Sequence, residues 1–95
     1  MAYSIVFTAA AERELRRLTL PGRVMVSRTL ERLAANPRRP GVRRIVGADH
    51  LYRAKAGDYR VVYAIHEERV VICVVRIAHR GSVYRRIDRL PPGGD

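Results

Sequence analysis

Leu51-Tyr52-Arg53-Ala54-Lys55-Ala56-Gly57-Asp58-Tyr59-Arg60-Val61-Val62-Tyr63-Ala64-Ile65 decides the fold. Two runs rich in β-branched and aromatic residues flank Gly57-Asp58, and glycine at the first of two central positions suits a type II′ hairpin turn. A two-residue loop fixes the register: Ala56 faces Tyr59, Lys55 faces Arg60, Ala54 faces Val61 and Arg53 faces Val62. Side chains alternate along a strand, so Arg53, Lys55 and Arg60 leave one face while Tyr59, Val61, Tyr63 and Ile65 leave the other. Like charges directly opposite one another destabilise a sheet by up to about 1 kcal/mol. Lys55 against Arg60 therefore reads in two ways. Either an anion lies between the two cations in use, or both side chains bend away into water.

Working outward, Glu67-Glu68 reads as a turn and Val70 to Ile77 as a strand apolar on both faces, central in its sheet. On the other side, Tyr3 to Phe7 reads as a short strand and Thr8 as an N-cap. Ala9 to Leu18 is a helix with Ala11, Leu15 and Leu18 on its apolar face; Glu12, Arg13, Glu14, Arg16 and Arg17 read as a solvated face. Leu20-Pro21-Gly22 breaks that helix before a second one, Val24 to Ala35, whose stripe is Val26, Leu30, Leu33 and Ala34. Two helices joined so closely suggest a helical hairpin laid on a sheet. Asn36 to Arg44 holds four arginines and no acid, and suits a connector or a phosphate-contacting arm equally. Ser82 to Arg86 reads as a short helical turn.

The fold class is thus α+β: one small domain over residues 1–88, with an N-terminal strand, a two-helix hairpin, an antiparallel meander sheet and a short C-terminal helical turn. Residues 89–95 read as a flexible tail. Ninety-five residues can bury one core without disulfides or metal. The lone Cys73, within Val-Val-Ile-Cys-Val-Val, reads as a buried hydrophobe. No apolar run has the roughly 18 residues that crossing a membrane takes, and the N-terminus lacks the pattern of a secretory signal, so the expected location is cytoplasmic with no membrane partner.

Nineteen basic residues against nine acidic give a net charge of +10, which points to phosphate or an acidic protein as partner. Eighteen of the nineteen are arginine; the one lysine, Lys55, lies in the hairpin and can lose a proton as arginine cannot. The acids form no inward pair of the kind a glycosidase or metal-dependent nuclease uses. His50, His66 and His79 lack ligand spacing, so no metal and no cofactor is expected. There is also no phosphate-cradling glycine loop and no nucleophile elbow.

What remains is cationic: Arg53, Lys55 and Arg60 on the hairpin, then His79, Arg80 and Tyr84 past the last strand. In a meander the end of that strand returns beside Tyr59 and Arg60. Converging positive groups suit a phosphodiester whose charge grows in the transition state. With RNA the 2′-OH is itself a nucleophile, so such a site needs only to position, stabilise charge and move protons. The same patch also describes a plain RNA-binding surface with one stacking ring.

Several segments carry a family resemblance. They are Phe7-Thr8 closing the first strand, the charged helix pair, Leu51-Tyr52-Arg53-Ala54-Lys55, Gly57-Asp58-Tyr59-Arg60-Val61-Val62-Tyr63, and Ile77-Ala78-His79-Arg80-Gly81-Ser82-Val83-Tyr84-Arg85-Arg86. In that order and spacing the chain resembles the RelE/ParE superfamily of bacterial toxin–antitoxin toxins, most closely its RelE branch, over residues 3 to 86. The resemblance implies a metal-independent ribonuclease that cuts mRNA in the ribosomal A site by 2′-OH attack, leaving a cyclic phosphate. It implies Lys55 as proton acceptor or an aid to one, and Arg60 and Arg80 as charge stabilisers, with Arg80 protonating the leaving oxygen. Tyr84 would stack on the reacting nucleotide, and Arg53, His79 and Arg85 would be further substrate contacts. The implied partners are the ribosome with its mRNA and a cognate antitoxin whose C-terminal segment folds along the toxin.

Two features depart from the family pattern. Arginine stands at 53 where lysine is often found, and the hairpin turn is shorter than in some relatives. His79 competes with Lys55 for the role of base, since imidazole titrates near neutrality. The alternatives are a ParE-like inhibitor of DNA gyrase without nuclease chemistry, and a degenerate toxin that only binds.

Overall fold

The computed structural model describes residues 2–79. Its elements run β1 (Ser4–Phe7), α1 (Ala9–Arg17), α2 (Leu20–Ala35), β2 (Arg43–Ile45), β3 (Ala48–Ala56), β4 (Tyr59–His66) and β5 (Val71–His79). The five strands make one sheet in the order β1-β5-β4-β3-β2, with β1 parallel to β5 and every other pair antiparallel. The helical turn expected at Ser82–Arg86, the tail at 89–95, and Arg80, Tyr84 and Arg85 all lie outside the described residues.

The hairpin has the register that its two-residue turn dictates: Ala56 opposite Tyr59, Lys55 opposite Arg60, Ala54 opposite Val61 and Arg53 opposite Val62. Gly57 has φ +64°, and Asp58 is not among the residues with positive φ, as a type II′ turn requires. The strands on either side differ from expectation in their ends. β3 starts at Ala48, because Arg43–Ile45 folds back on it as β2, a strand too short for hydrophobic alternation to reveal. Similarly, α2 begins at Leu20 instead of Val24. Thr19 caps it by accepting from the Gly22 N–H at 3.3 Å, and Pro21 falls in the first turn, where its missing N–H has no helical partner to lose.

Thr8 caps α1 as expected, accepting from the Ala11 N–H at 3.1 Å. Both helices lie on one face of the sheet. There Ala11, Val26, Leu30 and Leu33 pack against Ala54, Ala56, Val61, Tyr63, Ile72, Val74 and Ile77, with Leu15 and Leu18 at the margin. Burying each of the larger aliphatic side chains stabilises the fold by about 1.5–3 kcal/mol. Gly22 brings α2 close, since a Cβ there would stand 3.2 Å from the Tyr59 ring. The opposite face holds a smaller cluster of Ile45, Leu51, Val62 and Ala78.

β5 carries an irregularity that the sequence does not announce. Val62 faces Arg76 but the next residue, Tyr63, faces Val74, so Val75 is an extra residue, a β-bulge. The bulge inverts the alternation. Ile72 and Val74 point toward the helices before it and Ile77 after it, while Arg76 and Ala78 take the other face.

Candidate functional site

Directly opposed residues share a face, so the ladder shows which side chains meet. One row across the strands reads Arg43–Arg53–Val62–Arg76, and the next reads Lys55–Arg60–Ala78. Arg53, Lys55 and Arg60 therefore stand together on the face away from the helices. Two cations that the sequence reading passed over, Arg43 and Arg76, join them. Arg43 lay in what read as a loop. Arg76 lay inside an apolar strand, and only its charge in an otherwise apolar run hinted that it faces another way.

Arg60 is the most constrained of these groups. It is 8 % exposed. Its Nη1 donates to the carbonyls of Gly57 at 3.0 Å and Tyr59 at 2.9 Å, so the guanidinium turns onto the hairpin's own loop. This relieves the opposition to Lys55, which is exposed. The Arg60 Nε, however, is buried and has no hydrogen-bond partner among the described residues, and the same holds for Arg76 Nε. A buried charged donor without an acceptor is costly. Such a group is matched by an anion with oxygens to spare.

His79 lies elsewhere. It faces Tyr59, and the two rings meet edge to face with centroids 6.2 Å apart. Since Tyr59 packs on Gly22, this pair belongs to the helix side of the sheet, across from Lys55 and Arg60. The strand does return to the expected place, with Ala78 beside Arg60 and His79 beside Tyr59.

A groove of about 570 Å³ runs between α2 and the hairpin turn, lined by Leu20, Val24, Met25, Arg28, Lys55 and Gly57 among others. Leu20, Val24 and Met25 are exposed on it. Lys55 thus stands on the border between this groove and the cationic face. Cys73 is half-buried, and its burial pushes the thiol pKa up, away from a reactive thiolate. Among the described residues no three His, Cys, Asp or Glu side chains gather as they would to hold a metal ion.

Comparison with known proteins matches this architecture and sequence. Residues 5–84 match the family described as the ParE toxin of the type II toxin–antitoxin system parDE. The chain is 33% identical over 92 residues to the Mycobacterium tuberculosis toxin RelG, covering 90% of this chain and 100% of that protein. It superposes on a chain of the M. tuberculosis RelBE2 toxin–antitoxin complex with a TM-score of 0.76 at 27% identity, over 84% of this chain and 100% of that one. For the intact E. coli RelBE toxin–antitoxin complex the TM-score is 0.74 at 28% identity, over 82% of this chain and 96% of that one. With the fold, the order of its segments and more than four-fifths of its length in agreement, the chain belongs to the ParE toxin family of type II toxin–antitoxin systems, as a RelE-like member.

Proposed function

We propose that this toxin is a ribosome-dependent endoribonuclease that cuts mRNA in the A site without a metal ion. The observation that carries this reading is Arg60, a buried guanidinium with an unmatched Nε–H, on a face shared with Lys55, Arg53, Arg43 and Arg76. In the reaction the substrate 2′-oxygen bonds to phosphorus, the P–O5′ bond breaks, and a 2′,3′-cyclic phosphate and a 5′-hydroxyl result. Lys55 takes up the 2′-OH proton or helps to do so. Arg60 stabilises the charge that grows on the non-bridging oxygens, where a positioned donor contributes about 10²–10³-fold in rate. Arg80 completes the charge stabilisation and returns a proton to the leaving oxygen, and Tyr84 stacks on the nucleotide; both roles extend the family resemblance to residues outside the described part. Arg53 contacts the substrate beside this centre and Arg85 does so by the same extension of the resemblance, while His79 stands on the helix side of the sheet, apart from Lys55 and Arg60.

The RelB antitoxins in the complexes to which this chain is similar support an antitoxin partner here. A segment with apolar side chains at helical spacing and acidic flanks suits the Leu20–Val24–Met25 groove and its rim of Arg28, Arg32 and Lys55. Folding onto the toxin, such a segment would bring negative charge to a +10 surface.

The deciding assay adds purified protein to ribosomes programmed with a defined mRNA and maps new ends by primer extension. New ends in the A-site codon, formed in the presence of EDTA at a level that leaves ribosomes intact, support the proposal. No new ends, together with inhibition of gyrase supercoiling, would instead support the ParE-like alternative.

A further inference from the structure

β1 accompanies β5 only as far as Phe7 opposite Val74, yet β5 continues to His79. Along that stretch its outer edge has no strand to bond with among the described residues, and backbone groups left unmatched would loosen it. Side chains from the β1–α1 segment take the place of the missing strand. Thr8 Oγ1 donates to the Val75 carbonyl at 3.0 Å, and Glu14 Oε1 accepts from the Ile77 N–H at 2.8 Å. The second carboxylate oxygen, Oε2, lies 3.9 Å from Arg76 Nη1, and the Glu14 side chain is only 11% exposed. Glu14 is therefore not part of the solvated helix face that its neighbours form. It is a carboxylate turned inward onto a strand edge.

These contacts bracket the bulge at Val75. With the bulge in place, Arg76 and Ala78 share the face of Arg60 and Ile77 enters the core. A one-residue shift in register would exchange the two faces, sending Arg76 toward the helices and Ile77 out. We propose that Glu14 is a positioning residue for the cationic site. By holding Ile77 N–H and drawing Arg76 alongside, it locks the bulged end of β5 so that Ala78 stands opposite Arg60. Glu14 acts through β5, not on the substrate. The inference deepens the nuclease reading and rests on it.

The test compares Glu14→Ala and Glu14→Gln with the parent in single-turnover cleavage of programmed ribosomes, with ribosome affinity measured separately. A loosened site about 1 Å out of place loses about 100-fold in rate, so Glu14→Ala should slow bond cleavage by about that factor. Its ribosome affinity should stay within about threefold, since phosphate contacts elsewhere on the face carry binding. Glutamine keeps an oxygen for Ile77 and should restore cleavage to within about tenfold of the parent, leaving a deficit from the lost charge beside Arg76.

Amide exchange supplies a readout independent of cleavage. The Ile77 amide should exchange about tenfold faster in Glu14→Ala and not in Glu14→Gln, with the Arg60 Nε–H resonance shifting only in the former. Should Glu14→Ala fail to fold, Glu14→Asp replaces it, as a carboxylate drawn back from Ile77. Cleavage at the parental rate by a folded Glu14→Ala, or unchanged Ile77 exchange, overturns the inference. If the parent itself does not cut ribosomes, the proposed function fails instead, and Ile77 exchange with the Arg60 resonance decides whether Glu14 positions the strand.

Discussion

Each end of the β3–β4 hairpin holds an arginine, and the two are satisfied to different degrees. At the end away from the turn, Arg38 sits 5.6 Å over the Tyr52 ring and pairs with Glu67 at 3.1 Å. There Tyr52 stacks on Tyr63, and the buried Tyr63 hydroxyl donates to the Pro37 carbonyl at 2.6 Å. These groups answer one another, and the loop after α2 is fastened to the sheet as a result. At the turn end, Arg60 binds two carbonyls of its own loop and keeps a buried Nε–H without an acceptor among the described residues. Arginine thus serves as a clasp at one end and, under the proposed function, as a group that binds the substrate at the other. Satisfied polar contacts mark structure, whereas a buried donor left without an acceptor calls for an explanation, which under the proposed function is the substrate phosphate.

Replacing the two arginines tests this contrast most severely. Arg60→Met should lower cleavage of programmed ribosomes by at least about 100-fold. Thermal unfolding of that variant should be no earlier than for the parent, because an imperfectly paired buried charge gives way to an apolar chain. Arg38→Met should leave cleavage within about threefold and cost less than about 1 kcal/mol, as expected of an exposed ion pair. If the Arg60→Met protein cuts like the parent, the comparison breaks.

Gly57 ties the turn end to α2. Its φ is +64°, and an added Cβ would run into Met25 Sδ, so Gly57→Ala should cost about 1–3 kcal/mol in denaturant unfolding. Tyr63→Phe removes the donor to Pro37 at the other end and should cost about 1–2 kcal/mol.

The same tyrosine gives a pH signature. Burial pushes the Tyr63 pKa up from its ordinary value. Above pH ~10 the unfolded chain ionises this phenol while the folded chain keeps its proton. Stability contributed by neutral Tyr63 is therefore whole below that pH and lost as pH rises further. Parent and Tyr63→Phe unfolding free energies should converge over that range, which urea titrations at stepped pH will measure.

The smallest effect is expected where β4 turns into β5. Val70 has φ +55°, a left-handed conformation that a β-branched side chain resists. Val70→Asn should raise stability by about 0.5–1 kcal/mol in the same urea titrations without changing cleavage.

Much of this was legible in the chain because it is local. A two-residue turn fixes register with no help from the rest of the protein, so the Lys55–Arg60 opposition could be read directly from Gly57-Asp58. The helix stripes at Val26, Leu30 and Leu33 follow from a period of 3.6 residues, and Thr8 from its place before an apolar run. β2 was not legible, since three residues become a strand only by finding β3. Nor was the facing of Arg76, because its charge in an apolar run hints at a turned side chain without showing that Val75 bulges. His79 and Lys55 looked like rivals for one place, and the ladder puts them on opposite sides of the sheet.

The sequence by itself therefore determined the hairpin, its register, the helix faces and the cationic character of the site. Each of these depends on neighbours a few residues apart. Only the tertiary structure decided that Glu14 leaves the solvated face, that Val75 bulges, and that Arg43 and Arg76 join Arg53 and Arg60. Those outcomes depend on where one element stops and what must then satisfy the backbone beside it. β1 ends at Phe7, β5 goes on, and the Ile77 N–H is met by a carboxylate sixty-three positions earlier in the chain.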